Sequence, residues 1–325
     1  MDEALTTPPT FQLHFSKQIY CVELSPYEWS QHLICIALAE EIVIGTVKFQ
    51  EEDESVEDIA FNAIRTFRHD VRPHAIAWSP DTSLSVIPKV LMLCVAGADY
   101  KIRLYSSDMN ENTVCEMEGH KDYINSICYE TEGEILASVS DDHTCKIWAV
   151  KEDEKSISTF YLTSPGMSVC FHSEKSGKLL VGEKNGLIHM YDVRSQQAIM
   201  SLDSDIVPLM SIDWAPNPLK VAAIAAGKLI LWDISKPSPP LESKPLHVEG
   251  GLVVKFSPAY EHFVVSVGRP DNLLKVTNVR TEQEIICGQV KLIGGVTWHY
   301  KLPYVCATSD REVRFWKVTT SGLRV

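Results

Sequence analysis

One pattern recurs along this 325-residue chain: a short apolar run ending in an aromatic residue or Leu, often followed by Ser-Pro or Ala-Pro. The instances are VELSP, IAWSP, SICYE, VCFHS, IDWAP, VKFSP and VTWHY, with anchors Leu24, Trp78, Tyr129, Phe171, Trp214, Phe256 and Trp298. Successive anchors are 54, 51, 42, 43, 42 and 42 residues apart. A fixed period of ~40–45 residues is that of a four-stranded propeller blade, a unit that buries its faces only against its neighbours. No other property of the sequence restricts the fold as strongly.

Each anchor is followed by two further runs rich in Val, Ile, Leu and aromatics, such as EILASVS and TCKIWAV, KLLVGE and LIHMYDV, KVAAIAA and KLILWDI, or YVCATS and EVRFWKV. Asp, Asn, Gly and Lys punctuate them, as hairpins require. A fourth, more polar run (TVCEME, SISTFYL, QQAIMSL, EIICGQV) reads as a half-exposed outer strand. The spacing therefore predicts an all-β chain: one seven-bladed propeller over 1–325, with blades near 21–70, 71–120, 121–165, 166–205, 206–249, 250–293 and 294–325. The two long intervals are explained by insertions: EEDESVED (51–58), placed between the first and second units, and DTSLSVIPK (81–89) inside the second. The first reads as a solvated loop or as a docking tail for a basic partner. The segment SKPSPPLESKP (235–245) has four prolines and reads as a stiff connection between the fifth and sixth blades. The seventh unit lacks a fourth strand, while FQLHFSK near the N-terminus lacks a partner. A strand within 10–20 is expected to complete the last blade and remove its open edge.

Composition narrows the function. A net charge of −13 is unsuited to phosphate backbones, so no direct nucleic-acid binding is expected. The start, MDEALTTPPT, lacks the basic flank and apolar core of a secretory signal. The longest apolar run, VLMLCVAGA, is far short of the ~20 residues of a membrane helix, so no membrane insertion is expected. Nine cysteines, with no C-x-x-C pair, lie mostly inside apolar runs and read as reduced core residues of a cytosolic or nuclear protein.

The stretch EILASVSDDHTCKIWAV concentrates the residue types of nucleophiles, bases and metal ligands. A catalytic Ser needs an exposed, sharply turned position with an oxyanion hole beside it, whereas Ser138 sits inside the apolar LASVS. Asp141, Asp142, His143 and Cys145 crowd one tight turn, with no second ligand pair to close a zinc tetrahedron. No catalytic site, metal or cofactor is expected.

Read from Gly119-His120 to Trp148, this unit resembles the WD40 repeat, which runs from a Gly-His pair to a Trp-Asp pair; the fifth unit has Trp232-Asp233 and the fourth Tyr191-Asp192. The resemblance implies a structural tetrad of His120, Ser138, Asp142 and Trp148. The chemistry is consistent: Trp only donates, Ser and neutral His donate and accept, and Asp only accepts, so bonds can run from Trp148 to Ser138 to His120 to Asp142. The other blades lack a complete set. The second has Asp99 six before Tyr105 but no matching His, and the seventh has Cys306 where Ser would stand. Those blades are expected to depend on apolar stacking.

The strings RTFRHDVRPHAIAWSP, DDHTCKIW, SPGMSVC, EKNGLIHMYDV and QQAIMSLDSDIVPLMS extend the resemblance. They are similar to the family of small, thirty-seven-kilodalton WD-repeat nucleoporins of the Y-shaped outer-ring complex of the nuclear pore. That resemblance implies a scaffold role, docking on a large helical nucleoporin of the Y complex, with other outer-ring nucleoporins as partners. It implies location at the nuclear envelope and, in mitosis, at kinetochores, with RNA and protein transport as indirect consequences. The chain alone is expected to be monomeric, and the partner interface is unassigned. Two other readings stay open. Tyr191-Asp192-Val193-Arg194 resembles the W-D-x-R box of cullin-ligase substrate receptors, or consists of ordinary turn residues. Alternatively, the acidic loops read basic peptide tails.

Overall fold

A computed structural model describes residues 6–151, 156–216 and 219–319. The first five residues of the MDEALTTPPT start and nearly all of the TTSGLRV end lie outside the described residues. Seven four-stranded antiparallel sheets form the blades of a β-propeller. The third blade is typical: Ile124–Tyr129 innermost, then Ile135–Ser140, Thr144–Ala149 and Ser156–Tyr161 outermost. Its second strand, ILASVS, is buried on both faces because neighbouring blades cover it, and the outer strand is the most exposed. Core clusters accordingly join residues of adjacent blades, as where Val139 and Ile147 of the third pack on Val169 and Leu179 of the fourth.

The ring closes as the sequence suggests. Phe11–His14 pairs antiparallel with Glu312–Lys317, in register Phe11↔Phe315 to His14↔Glu312, and so becomes the outer strand of the seventh blade. Closure is tight elsewhere too: a Cβ at Gly294 would collide with the Tyr20 carbonyl of the first blade, so only glycine allows this approach. In six blades the innermost strand carries a register shift near its start, as between Ile124 and Ser126, Gly166 and Ser168, and Leu209 and Ser211. These bulges increase local twist and bring the shifted residue towards the neighbouring blade.

Two expectations are corrected. Residues 51–58 do not separate the first two blades; they form a loop inside the first, between Glu41–Phe49 and Ile59–Arg68. The proline-rich segment is not all connection, since Glu242–Pro245 pairs with the strand Lys228–Asp233 as the outer strand of the fifth blade. Proline is tolerated there because an outer strand leaves one side of its ladder unpaired.

Candidate functional site

The structure brings His120, Ser138, Asp142 and Trp148 into one chain of hydrogen bonds. Ser138 lies mid-strand and Trp148 on the next strand, while His120 comes from the loop entering the blade and Asp142 from the turn after Ser140. The Trp148 Nε1–H donates to Ser138 Oγ (2.8 Å), Ser138 meets His120 Nε2 (2.6 Å), and His120 Nδ1 meets Asp142 Oδ2 (2.8 Å). The acceptor-only carboxylate sets the tautomer: Nδ1 carries the proton and Nε2 accepts from the Ser138 hydroxyl. Asp142 also accepts from Lys121 N–H (2.9 Å) and from Thr144 N–H and Oγ1 (3.0 and 2.6 Å). Burial pushes its carboxyl up, but these bonds outweigh burial and hold it below the usual carboxylate range. Burial lowers His120, against the pull of Asp142, so the ring stays neutral at pH 7.

Ser138 is fully buried. Its hydroxyl proton is committed to His120, and the arrangement fixes one geometry with every polar group used. Ser138→Ala is expected to lower unfolding free energy by about 1–3 kcal/mol in a urea titration, because the Trp148 N–H and His120 lose a buried partner. Trp232 offers a control, since its indole N–H has no acceptor among the described residues. Trp148→Phe should therefore cost about 1 kcal/mol more than Trp232→Phe in the same measurement. Equal losses would mean that the bond to Ser138 contributes nothing.

The other residues of the opening stretch are engaged differently. Asp141 Oδ1 accepts from Asn125 Nδ2 (2.8 Å), which also donates to the Gly166 carbonyl (2.9 Å) and so links the third and fourth blades. His143 adopts φ 62° in the turn, and Cys145 is buried. Among the described residues no group of three or more His, Cys, Asp or Glu is placed to hold a metal ion.

Sequence reasoning missed several polar contacts. In the second blade a matching His does exist: buried His69 Nδ1 meets the Tyr105 hydroxyl directly, with no Ser between them. Tyr carries its own hydroxyl where Trp148 needs Ser138 to reach the imidazole. The sixth blade holds a three-member version, His247 Nε2 to Ser266 Oγ (2.9 Å) and Nδ1 to Asp271 Oδ2 (3.0 Å). An 18-residue His–Ser search overlooks it, because its separation is 19. In the seventh blade the Trp316 Nε1–H donates to the Thr7 carbonyl (3.0 Å), so the N-terminal segment supplies the acceptor that Cys306 cannot.

The degenerate blades are also not held by apolar stacking alone. Ser126, Ser168 and Ser211 each stand three residues before an anchor. Ser168 Oγ accepts from Ile212 N–H (3.2 Å) and Ser211 Oγ from Val254 N–H (3.2 Å), each reaching the next blade. This spacing was legible in the sequence.

The inner strands enclose a channel of about 640 Å³. On its wall Lys255 Nζ donates to both oxygens of Glu23 (2.9 Å each), and Thr297 Oγ1 donates to Glu23 Oε1 (3.3 Å). Asp213 Oδ2 accepts from the Phe256 N–H (2.7 Å), yet burial pushes this carboxyl up to about 7. At the foot of the fourth blade, Asp192 pairs with Lys178 (2.5 Å), and Arg194 donates to Ser176 Oγ (2.8 Å). Both charged residues of the Tyr191–Arg194 sequence are thus engaged within the chain.

Comparison with known proteins gives the family. A WD domain, G-beta repeat signature matches residues 111–149, the unit that carries the hydrogen-bonded tetrad. Nucleoporin Nup37 of Mus musculus is 39% identical over 324 residues, spanning 97% of this chain and 99% of its own. The chain belongs to the Nup37 family of nucleoporins. Nucleoporin Nup37 of Homo sapiens is 40% identical over 92% of this chain and 93% of its own. That of Drosophila melanogaster is 35% identical over 95% of this chain and 97% of its own. The Nup37 likeness therefore covers the whole ring, well beyond the single repeat that matches the WD signature.

Proposed function

We propose that this chain is a structural scaffold subunit of the nuclear pore outer ring, where it docks on a large helical nucleoporin of the Y-shaped complex. The observation that carries this reading is the identity of 39–40% to mouse and human nucleoporin Nup37 across more than nine-tenths of the chain. The architecture suits the role. A ring closed by its own N-terminal strand leaves no blade a strand short, so only the short outer edges of the blades stay unpaired, and it presents loops on two faces as a rigid platform. The tetrad of the third blade serves this reading as an internal clasp, holding strands and entry loop in one arrangement. Location at the nuclear envelope, a contribution to pore assembly and a mitotic role at kinetochores follow from the same assignment.

Tagging the chain in cells tests the proposal. Fluorescence at the nuclear rim in interphase and recovery of outer-ring nucleoporins by immunoprecipitation are expected. A diffuse signal with no nucleoporin recovered would overturn it, as would recovery of a cullin adaptor in their place.

A further inference from the structure

In an up-and-down blade, the turn between the first and second strands and the turn between the third and fourth emerge on the same face. In the first three blades these turns include residues 25–32, 51–58, 81–90, 108–111 and 130–134. They form one connected crescent. The Trp29 Nε1–H donates to the Pro80 carbonyl (3.1 Å), joining the first blade to the second, and Lys151 pairs with Asp81 (3.0 Å), joining the third to the second.

The chain's negative charge gathers here. Every charged residue in 51–58, 108–111 and 130–134 is a carboxylate. Some are neutralised within the chain, as Asp53 is by Lys48 (3.4 Å) and Glu132 by Arg194 (3.6 Å). Exposed Glu28, Glu54, Glu57, Asp58, Glu111 and Glu134 have no cation within ion-pair distance among the described residues. On the same face of blades four to seven, Lys175, Arg194, Lys236, Arg280 and Lys301 balance the acids.

Within this acidic frame stand three large apolar side chains: Trp29 is 48% exposed, Val86 64% and Ile87 87%. Trp29 is held rigid by stacking on Tyr27, with ring centroids 5.2 Å apart. The loop bearing Val86 and Ile87 is pinched at its base by the Ser83–Val90 bridge, which holds its tip away from the blade. A single exposed apolar residue needs no explanation, but three on adjoining loops of the most acidic face are a different matter.

We propose that this crescent docks a Lys- and Arg-rich amphipathic segment of a protein partner. The carboxylates select positive charge, and the apolar trio requires a partner with apolar side chains of its own. An anionic lipid surface or a nucleic acid is repelled by the frame. A purely polybasic tail leaves Trp29 and Ile87 uncovered. The inference names a face and a partner chemistry, and it stands whether or not that partner belongs to the pore.

The test uses the full chain and a synthetic helical probe with Leu at i, i+3, i+4 and i+7 and Lys elsewhere, read by fluorescence anisotropy at low and high salt. One control probe carries Ser for each Leu and another carries Glu for each Lys. The Leu/Lys probe is expected to bind, and more weakly at high salt. Val86→Ser with Ile87→Ser should weaken it about tenfold, as expected when apolar anchors are lost. Glu54→Lys with Glu57→Lys and Asp58→Lys should weaken it by at least about tenfold and flatten its salt dependence. Val248→Ser with Leu292→Ser alters residues 80% and 60% exposed on the opposite face and should leave binding within about twofold. Circular dichroism melts would establish that all three variants remain folded. Absence of binding, equal affinity for the Ser/Lys probe, or an equal loss in the opposite-face variant each overturns the proposal.

Discussion

Deleting residues 1–17 is expected to lower the unfolding free energy by on the order of 5 kcal/mol, or to abolish a cooperative transition, because the ring loses its closure. Phe11–His14 is the whole outer strand of the seventh blade. Its removal exposes one edge of Glu312–Lys317 and deletes the Thr10 N–H bond to the Phe315 carbonyl (2.7 Å) and the Phe15 N–H bond to the Arg311 carbonyl (2.9 Å). The loss also reaches the core. Phe11 packs beside Tyr304 and Phe49, with centroids 5.9 and 6.5 Å away, and Phe15 packs edge-on to Phe61 (5.7 Å). The buried Trp316 N–H loses the Thr7 carbonyl as its acceptor. An open, apolar-backed edge recruits other strands, so light scattering should rise on heating. A denaturant midpoint equal to that of the full chain would show that the N-terminal strand does not close the ring in solution.

Acidification is the second large effect. Burial lowers several histidines, and it brings His69 and His299 down to about 4. His299 Nδ1 accepts from the N–H groups of Lys301 (3.2 Å) and Leu302 (2.9 Å), so a proton on that nitrogen displaces both bonds. His172 is held in the same way by Glu174 N–H (3.0 Å) and Lys175 N–H (3.1 Å), and burial lowers it too. Because each folded value lies below the unfolded one near 6.5, the unfolded chain takes up more protons as the pH falls. The stability linked to these rings is complete above pH 6.5 and declines as the pH drops towards 4. Asp213 works the other way. With its folded value near 7, it takes up a proton on folding below that pH and offsets about one histidine over this range. The histidines outnumber it, so a net loss on the order of 3 kcal/mol between pH 7 and pH 4 is expected. His299→Asn separates the contribution of one ring. Asn keeps an acceptor near Nδ1 but does not titrate, so the slope of stability against pH should fall by up to about 1.4 kcal/mol per unit between 6.5 and 4. An unchanged slope would remove His299 from the account.

The sequence was most informative where the chain repeats itself. The anchors Tyr129, Phe171, Trp214, Phe256 and Trp298 recur at blade length because each begins its unit in the same local setting, and local settings leave their period in the chain. The missing fourth strand after Trp316 and the unpaired FQLHFSK could be matched by counting alone. The tetrad of the third blade was readable because its residues keep the spacing of the resembled WD repeat. Where the spacing slipped by one residue, as from His247 to Ser266, or where the chemistry changed, as at Tyr105, the same kind of network went unread. Glu242–Pro245 was hidden because the prolines of the 235–245 segment outweighed the pairing offered by the neighbouring strand.

The sequence by itself determined the number of blades, the order of their strands and the N-terminal segment as the source of the closing strand. These depend on periodic burial and turn chemistry, which are local to each unit. Only the tertiary structure decided that Thr7 would accept from Trp316, that Ser168 and Ser211 would reach into the next blade, and that the 51–58 and 81–90 loops would share one face with Trp29. Those contacts join residues tens to hundreds of positions apart. They depend on the strand register and on which blade lies alongside, and they leave no period in the chain.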